Sequence, residues 1–507
     1  MASNEPVEYD VVIIGGGIAG LYTAWRLANS TNLKILVLEA TNRLGGRFLT
    51  CEMPGGFCAD MGAMRYSSTC NPILQALIDK LNVSTYTLIQ NPTTKNKFSS
   101  FFRNKHMSSM EEMREMFSIS DEDLPYARAA FSLFFGPSEK GFDFMSSGDG
   151  NFGTAVDKLT GQKAQDMSLA SFLLQSNNPQ LLGLADSLYP PPEWTVALAS
   201  GFLNTLSKNW SEVKMVEGGY EKIITVIASV LSKYENVEIK LGKRVKSVME
   251  DHNTFTVKLD DGLSYSCKKV FFACSYVGMK SITLEQQERQ AKFQEMMNKV
   301  DMLPNVKVFL TYSRAWWEDN GMYEGTVATD WPNRYVVLFG EKSKTDSFAT
   351  ILASFKSTNS KLYLDLDIES NERFVNTAGK VPSELVPSKL LVQQVHTGLK
   401  RILGCPDLEE EPVCAARMFW GTKTYAGSTS HPRCGVDSNA LHWESLKPFD
   451  DSDMFITSDV FAAWDKNGAN VGFADISLLT TERILANHFG LEPIIPGLCL
   501  QNPWPST

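Results

Sequence analysis

The chain has 507 residues, which is more than one hydrophobic core needs, so at least two domains are expected. It carries 58 acidic against 48 basic residues, a net charge of −10, and the basic residues are dispersed. That balance excludes nucleic acid and an anionic membrane surface as partners. No apolar run is long enough to cross a bilayer, and there is no internal repeat or low-complexity tract.

In chain order, "MASNEPVE" lacks the apolar core of a signal peptide, so a cytoplasmic protein is expected, with a secreted mature form left open. "YDVVII" (Tyr9–Ile14) reads as a strand buried on both faces, rich in β-branched residues and without alternation. Four glycines follow within six residues. Ala19–Ala28 then reads as a helix with Leu21, Ala24, Trp25 and Ala28 on one face. "KILVLEA" (Lys34–Ala40) reads as a second buried strand ending in Glu39. Strand, G-x-G-x-x-G, helix, strand and acid form a dinucleotide-binding unit. Gly15 permits the tight turn, Gly17 lets the backbone approach a pyrophosphate, and Gly20 lets helix and strand pack closely. The helix start, at Ile18 and Ala19, faces the anion, and Glu39 with Ala40 serves the ribose. An unrelated glycine-rich turn is the bland alternative, and it leaves Glu39 without a purpose.

The next stretch, "EATNRLGGRFLT" (Glu39–Thr50), narrows the reading. G-x-G-x-x-G, an acid at the second strand end and then R-x-G-G-R resembles the FAD-dependent flavin amine oxidases, most closely the L-amino-acid oxidases. Arg43, Gly45, Gly46 and Arg47 match residue by residue. Two arginines suit a pyrophosphate through forked hydrogen bonds. A solvated i, i+4 pair on a helix is the competing reading, and Gly45-Gly46 argues against that helix. The resemblance covers nearly the whole chain. "VEGGYEKI" (Val216–Ile223) is similar to the family's internal Gly-Gly segment. Leu241–Cys274 is similar to the β-meander returning to the cofactor sheet, with Val245 at the adenine. Phe455–Leu485 is similar to the last FAD motif, with two departures: Asp459 stands for the usual glutamate near the ribityl chain, and Ala469-Asn470 for the usual Gly-Trp, followed by Val471.

The resemblance implies an α/β fold. A Rossmann-like FAD domain (5–70, 213–300 and 440–490) is interleaved with an α+β substrate domain and helical segment (71–212 and 301–439). It implies FAD, held non-covalently, since no cysteine stands where monoamine oxidases place theirs. The count of nine cysteines is odd and none are spaced C-x-x-C, so reduced thiols are expected. The six histidines have no metal spacing.

Three residues are expected to carry the chemistry. "NVKVFLTY" is similar to the strand on which these enzymes place a lysine bonded through water to flavin N5; here it is Lys307. Alternation puts Lys307, Phe309 and Thr311 on one face, where burial would depress the lysine pKa. "DMGAMRY" (Asp60–Tyr66) is similar to the stretch carrying the carboxylate-binding arginine, Arg65, with Gly62, Ala63 and Met64 passing near the cofactor. Arg65 paired with Asp60 or a phosphate is the alternative. Trp420, with Tyr425 and Trp464, would wall the site. One departure opposes this: the tyrosine that usually assists the arginine aligns with Ser354.

The resemblance thus implies oxidation of an L-amino acid. Hydride passes from Cα to flavin N5, the imine hydrolyses to a 2-oxo acid and ammonia, and O2 returns as H2O2. Alternatives are a fatty-acid double-bond isomerase that uses a carboxylate anchor without net oxidation, and an oxidase of polyamines or other amines. A homodimer is the default assembly.

Overall fold

The structure, a computed structural model, describes residues 8–88, 96–124, 126–127, 145–146, 156–157, 166–188, 213–356, 360–421, 427–461, 474–498 and 500. The fold is mixed α/β, built on two large sheets.

The first sheet has eight strands. Its path runs Val237–Lys240, Ile35–Leu38, Tyr9–Ile14, Ser264–Phe272, Thr254–Leu259, Val245–Asp251 and Thr283–Leu284, and Met454–Ile456 pairs with Ser264–Phe272 off the path. Tyr9–Ile14 lies at its centre, parallel to Ile35–Leu38 on one side and to Ser264–Phe272 on the other. Both faces are covered, so the strand has no polar side to show. Val11 and Ile13 pack beneath the Ile18–Ser30, Glu221–Leu231 and Ala474–Phe489 helices, while Val12 and Ile14 pack toward the meander and the Gln287–Asn298 helix. Each such side chain contributes roughly 1.5–3 kcal/mol by leaving water.

The Ile18–Ser30 helix is tied to the Ala474–Phe489 helix through Glu482, which is buried. Glu482 accepts from Arg26 Nε at 2.7 Å, Tyr22 Oη at 2.7 Å and the backbone N–H of Ile494 at 2.7 Å. A buried carboxylate is tolerable only with such a full set of donors.

The second sheet has seven strands, in the order Cys414–Trp420, Asn305–Tyr312, Ala349–Lys356, Tyr335–Phe339, Glu324–Thr329, Ser100–Phe102 and Lys105–Met107. Alternation along Asn305–Tyr312 sorts its side chains. Val306, Val308 and Leu310 enter the core under the Lys389–Ile402 helix, and Phe309 enters a separate cluster with Met61, Met64 and Phe339. Lys307 shares the Phe309 side. This side faces the first sheet, and the cavity lies between them.

The eight cysteines among the described residues are all free thiols, and these residues hold no cluster of metal-ligating side chains. No described helix is long and apolar enough to cross a membrane.

Candidate active site

Local backbone geometry at Gly15 shapes the start of the site. Its φ of +118° lies in the region that favours glycine, and a Cβ there would stand 2.7 Å from the Ala273 carbonyl oxygen. Gly20 is not on the cavity wall. A Cβ at Gly20 would fall 2.0 Å from Gly15 O, so it serves the close helix–strand packing that lets the turn form. Gly17 differs from both: a Cβ there would meet nothing within 4 Å, and the space it would enter is cavity. Gly17 is the N-cap of the Ile18–Ser30 helix and offers no side-chain cap. The first intrahelical bond is Leu21 N to Gly17 O at 3.0 Å. The N–H groups at the helix start are therefore available to an anion, beside the cavity-lining Ile18 and Ala19.

That cavity encloses about 460 Å³ and runs from the first sheet's strand ends to the second sheet. At one end Glu39 and Ala40 line it with Lys243, Arg244 and Val245. The Glu39 carboxylate is fixed by Gly16 N at 2.8 Å and by Thr41 N and Oγ1 at 2.9 and 2.7 Å. Arg43, Gly46, Arg47, Gly62, Ala63 and Met64 form the middle. Arg43 is held by the carbonyls of Leu44 and Gly46. Arg47 lines the cavity, as the sequence reading expects, and it also has a partner within the protein that the sequence does not reveal. It makes a forked pair with Asp459, with Nη1 to Oδ2 at 2.8 Å, and also donates to Ser428 O at 3.0 Å. Asp459 balances its charge within the protein, and Arg43 and the helix start line the same cavity. Asp459 lines the same wall.

At the other end stand Lys307, Arg65, Phe355 and Trp420. Lys307 is 2% exposed. Its Nζ donates to Asp60 O at 2.8 Å and Gly62 O at 2.7 Å, and it lies 5.0 Å from the Phe355 ring centre. Burial pushes its pKa well below the ordinary lysine range; Asp60 opposes the shift and Arg65 adds to it. Trp420 Nε1 donates to Met61 O at 2.7 Å. Asp60 is buried, with Oδ1 accepting from Thr50 Oγ1 and Tyr220 N, and Oδ2 has no partner among the described residues. Burial raises its pKa.

Arg65 makes no hydrogen bond or ion pair with any described residue, so the proposed pairing with Asp60 is absent. Burial lowers its pKa, with Tyr335 and Tyr220 opposing. A guanidinium in this position holds five donors open to whatever enters the cavity.

Ser354, at the position of the expected tyrosine, does not reach the cavity. Its hydroxyl donates to Asn333 O at 3.0 Å and lies off the cavity. The neighbouring Phe355, opposite Lys307 in the register, takes the wall position. A register shift between Val308 and Phe309 separates this end of the pairing from the rest, which the letters alone do not reveal. Neither residue supplies a phenol hydroxyl. Ala469, Asn470 and Val471, and with them Tyr425 and Trp464, lie outside the described residues.

The cradle fits FAD on these observations: open space at Gly17, uncapped N–H groups, a fixed acid at the strand end and Arg43 beside them. The sequence agrees over most of its length. The family described as flavin containing amine oxidoreductase matches residues 18–459. Achacin of Lissachatina fulica is 20% identical over 95% of this chain and 93% of its own. An L-amino-acid oxidase of Siganus canaliculatus is 22% identical over 74% of this chain and 71% of its own. Polyamine oxidase 2 of Arabidopsis thaliana is 22% identical, covering 61% and 59%. Wild-type putrescine oxidase, solved with putrescine bound, shares the fold with a TM-score of 0.65 at 17% identity, over 95% of this chain and 99% of that one. The chain therefore belongs to the flavin-containing amine oxidoreductases, and its cofactor is FAD.

Proposed function

We propose that this amine oxidoreductase acts on an L-amino acid, converting it to the 2-oxo acid, ammonia and H2O2, with Arg65 as the ligand of the α-carboxylate. Arg65 carries the reading, because it is a cationic fork on the cavity wall that the described protein leaves unpaired. A polyamine calls for the opposite charge. Among the described residues, the cavity's acids are Glu39 and Asp459. Glu39 is committed to Gly16 and Thr41, and Asp459 to Arg47. Among the described residues that line the cavity, no uncommitted carboxylate is left to hold a second ammonium group.

Bound FAD supplies the two-electron acceptor that O2 restores. The chain's residues do the rest. Arg65 fixes one end of the substrate, which converts a loose encounter into an oriented one. Phe355 and Trp420 exclude water and receive the apolar part of the substrate. Lys307 commits two donors to Asp60 O and Gly62 O. As an ammonium it has a third hydrogen for a water or oxygen species; as an amine it has a lone pair there instead. Its depressed pKa brings both forms within a working pH range.

The test is anaerobic mixing of the yellow holoenzyme with individual L-amino acids and with their decarboxylated amines. Bleaching by a subset of the amino acids, with colour and H2O2 returning on aeration, is expected. Bleaching by the amines alone would refute the reading. Turnover of an unsaturated fatty acid without H2O2 would move the assignment to carboxylate-anchored isomerisation.

A further inference from the structure

Three consecutive carbonyl oxygens, those of Asp60, Met61 and Gly62, are held by side chains of the second sheet. Lys307 Nζ takes the outer two at 2.8 and 2.7 Å, and Trp420 Nε1 takes the middle one at 2.7 Å. The two donors stand on neighbouring strands, where Asn305 pairs with Trp420 and Lys307 is two residues further along. The same backbone is closed from the other side by Met61 N to Leu49 O at 2.8 Å and Ala63 N to Arg47 O at 3.1 Å. Gly62 has no room to shift: a Cβ there would lie 1.9 Å from Arg47 O and 3.2 Å from the Trp420 ring. Beyond it the chain is next pinned at Tyr66, whose N–H and C=O both bond Lys214. Arg65 stands between these two anchors.

From this geometry we infer that Trp420 and Lys307 are positioning residues for Arg65. They strap the Asp60–Gly62 backbone to the sheet and so fix where the guanidinium meets a carboxylate. The inference rests on the Arg65 reading above and adds a mechanism to it: the wall that encloses the substrate also aims its anchor.

Trp420→Phe leaves an aromatic, though smaller, ring at the wall and deletes the single N–H that holds Met61 O. The measurement is the Kd of a non-reactive carboxylate, 3-phenylpropanoate, read from the shift it causes in the visible flavin band of the holoenzyme. The uncharged 3-phenylpropanol serves as control. Trp420→Phe is expected to weaken the carboxylate about tenfold while leaving the alcohol unchanged. A general loosening of the wall would weaken both ligands alike and would overturn the inference. Arg65→Ala separates the two levels. If it weakens the carboxylate and Trp420→Phe does not, the strap is wrong and the anchor stands; if Arg65→Ala has no effect, both fail. Should Trp420→Phe not retain FAD, Lys307→Met replaces it, and loss of FAD there too would assign both residues to the fold alone and overturn the inference.

Discussion

Gly15 and Gly17 are two residues apart in one motif, yet a methyl group added to each meets opposite surroundings. At Gly15 the Cβ would stand 2.7, 2.9 and 3.1 Å from Ala273 O, Ala273 C and Cys274 N, all backbone atoms of the adjoining strand end, at a φ of +118°. Backbone strain of about 1–3 kcal/mol adds to an overpacking cost of similar size, so Gly15→Ala should destabilise the apoprotein by about 2–6 kcal/mol. At Gly17 the φ is −78° and the Cβ would meet nothing within 4 Å. Alanine is a poorer N-cap than glycine but restricts the unfolded chain, and the two effects leave a net change below about 1 kcal/mol. The methyl would instead occupy the space into which the pyrophosphate must come, so FAD affinity should fall by at least about tenfold. Denaturant midpoints of the apoproteins and FAD titration by quenching of flavin fluorescence give the two numbers. The reasoning is refuted if Gly17→Ala destabilises the apoprotein as much as Gly15→Ala does, or if it binds FAD as the wild type does.

Arg65→Ala should raise KM for the amino-acid substrate by about 2–5 kcal/mol of lost binding, roughly 30-fold or more, with FAD retained; an unchanged KM would sink the carboxylate assignment. Glu482→Ala strips Arg26, Tyr22 and the Ile494 N–H of their shared acceptor, and should cost about 3–5 kcal/mol in urea unfolding. A loss under about 1 kcal/mol would mean that the hub is ornamental. His442 is held neutral, with Nδ1 at Phe461 O and Nε2 facing Arg483 Nη1 at 2.7 Å; burial first, then Arg483, lowers its pKa to about 3. The unfolded chain takes up a proton near its ordinary value of 6.5, so the stability this group supplies is full above that pH. It is lost as pH falls toward 3, at up to about 1.4 kcal/mol per pH unit. His442→Gln should flatten part of the loss between pH 7 and pH 5, and identical pH profiles would contradict this.

The features most legible in the sequence are those that repeat locally. Tyr9–Ile14, the glycines, the first helix and the strand ending before Glu39 carry their periodicity and turn chemistry within thirty residues or so. The meander ending in Ser264–Phe272 is similarly plain. The pairings that finish the site are not local. Arg47 meets Asp459, and Lys307 meets the carbonyls of Asp60 and Gly62, across hundreds of residues. No periodicity encodes which of two arginines finds an internal partner, so Arg47 reads as free when it is not. The exchange of Ser354 for Phe355 has a different cause. A strand's two faces differ by one residue, and a register shift opposite the pair turns Ser354 to the far side.

The first sheet is assembled from distant stretches of chain. Its central strand, Tyr9–Ile14, is flanked by Ser264–Phe272, which in turn receives Met454–Ile456, and the helix that follows the glycine turn leans on Glu482. During synthesis the glycine turn can lean on Leu38 and Glu39 at once, but its far side waits for most of the chain to be made. The apolar strand beside it can pair early with Ile35–Leu38, but its other edge stays open until residues 264–272 emerge, which makes this stretch a natural client for chaperones. Capture of FAD is correspondingly a late event, a seal on a completed chain rather than a nucleus around which it folds.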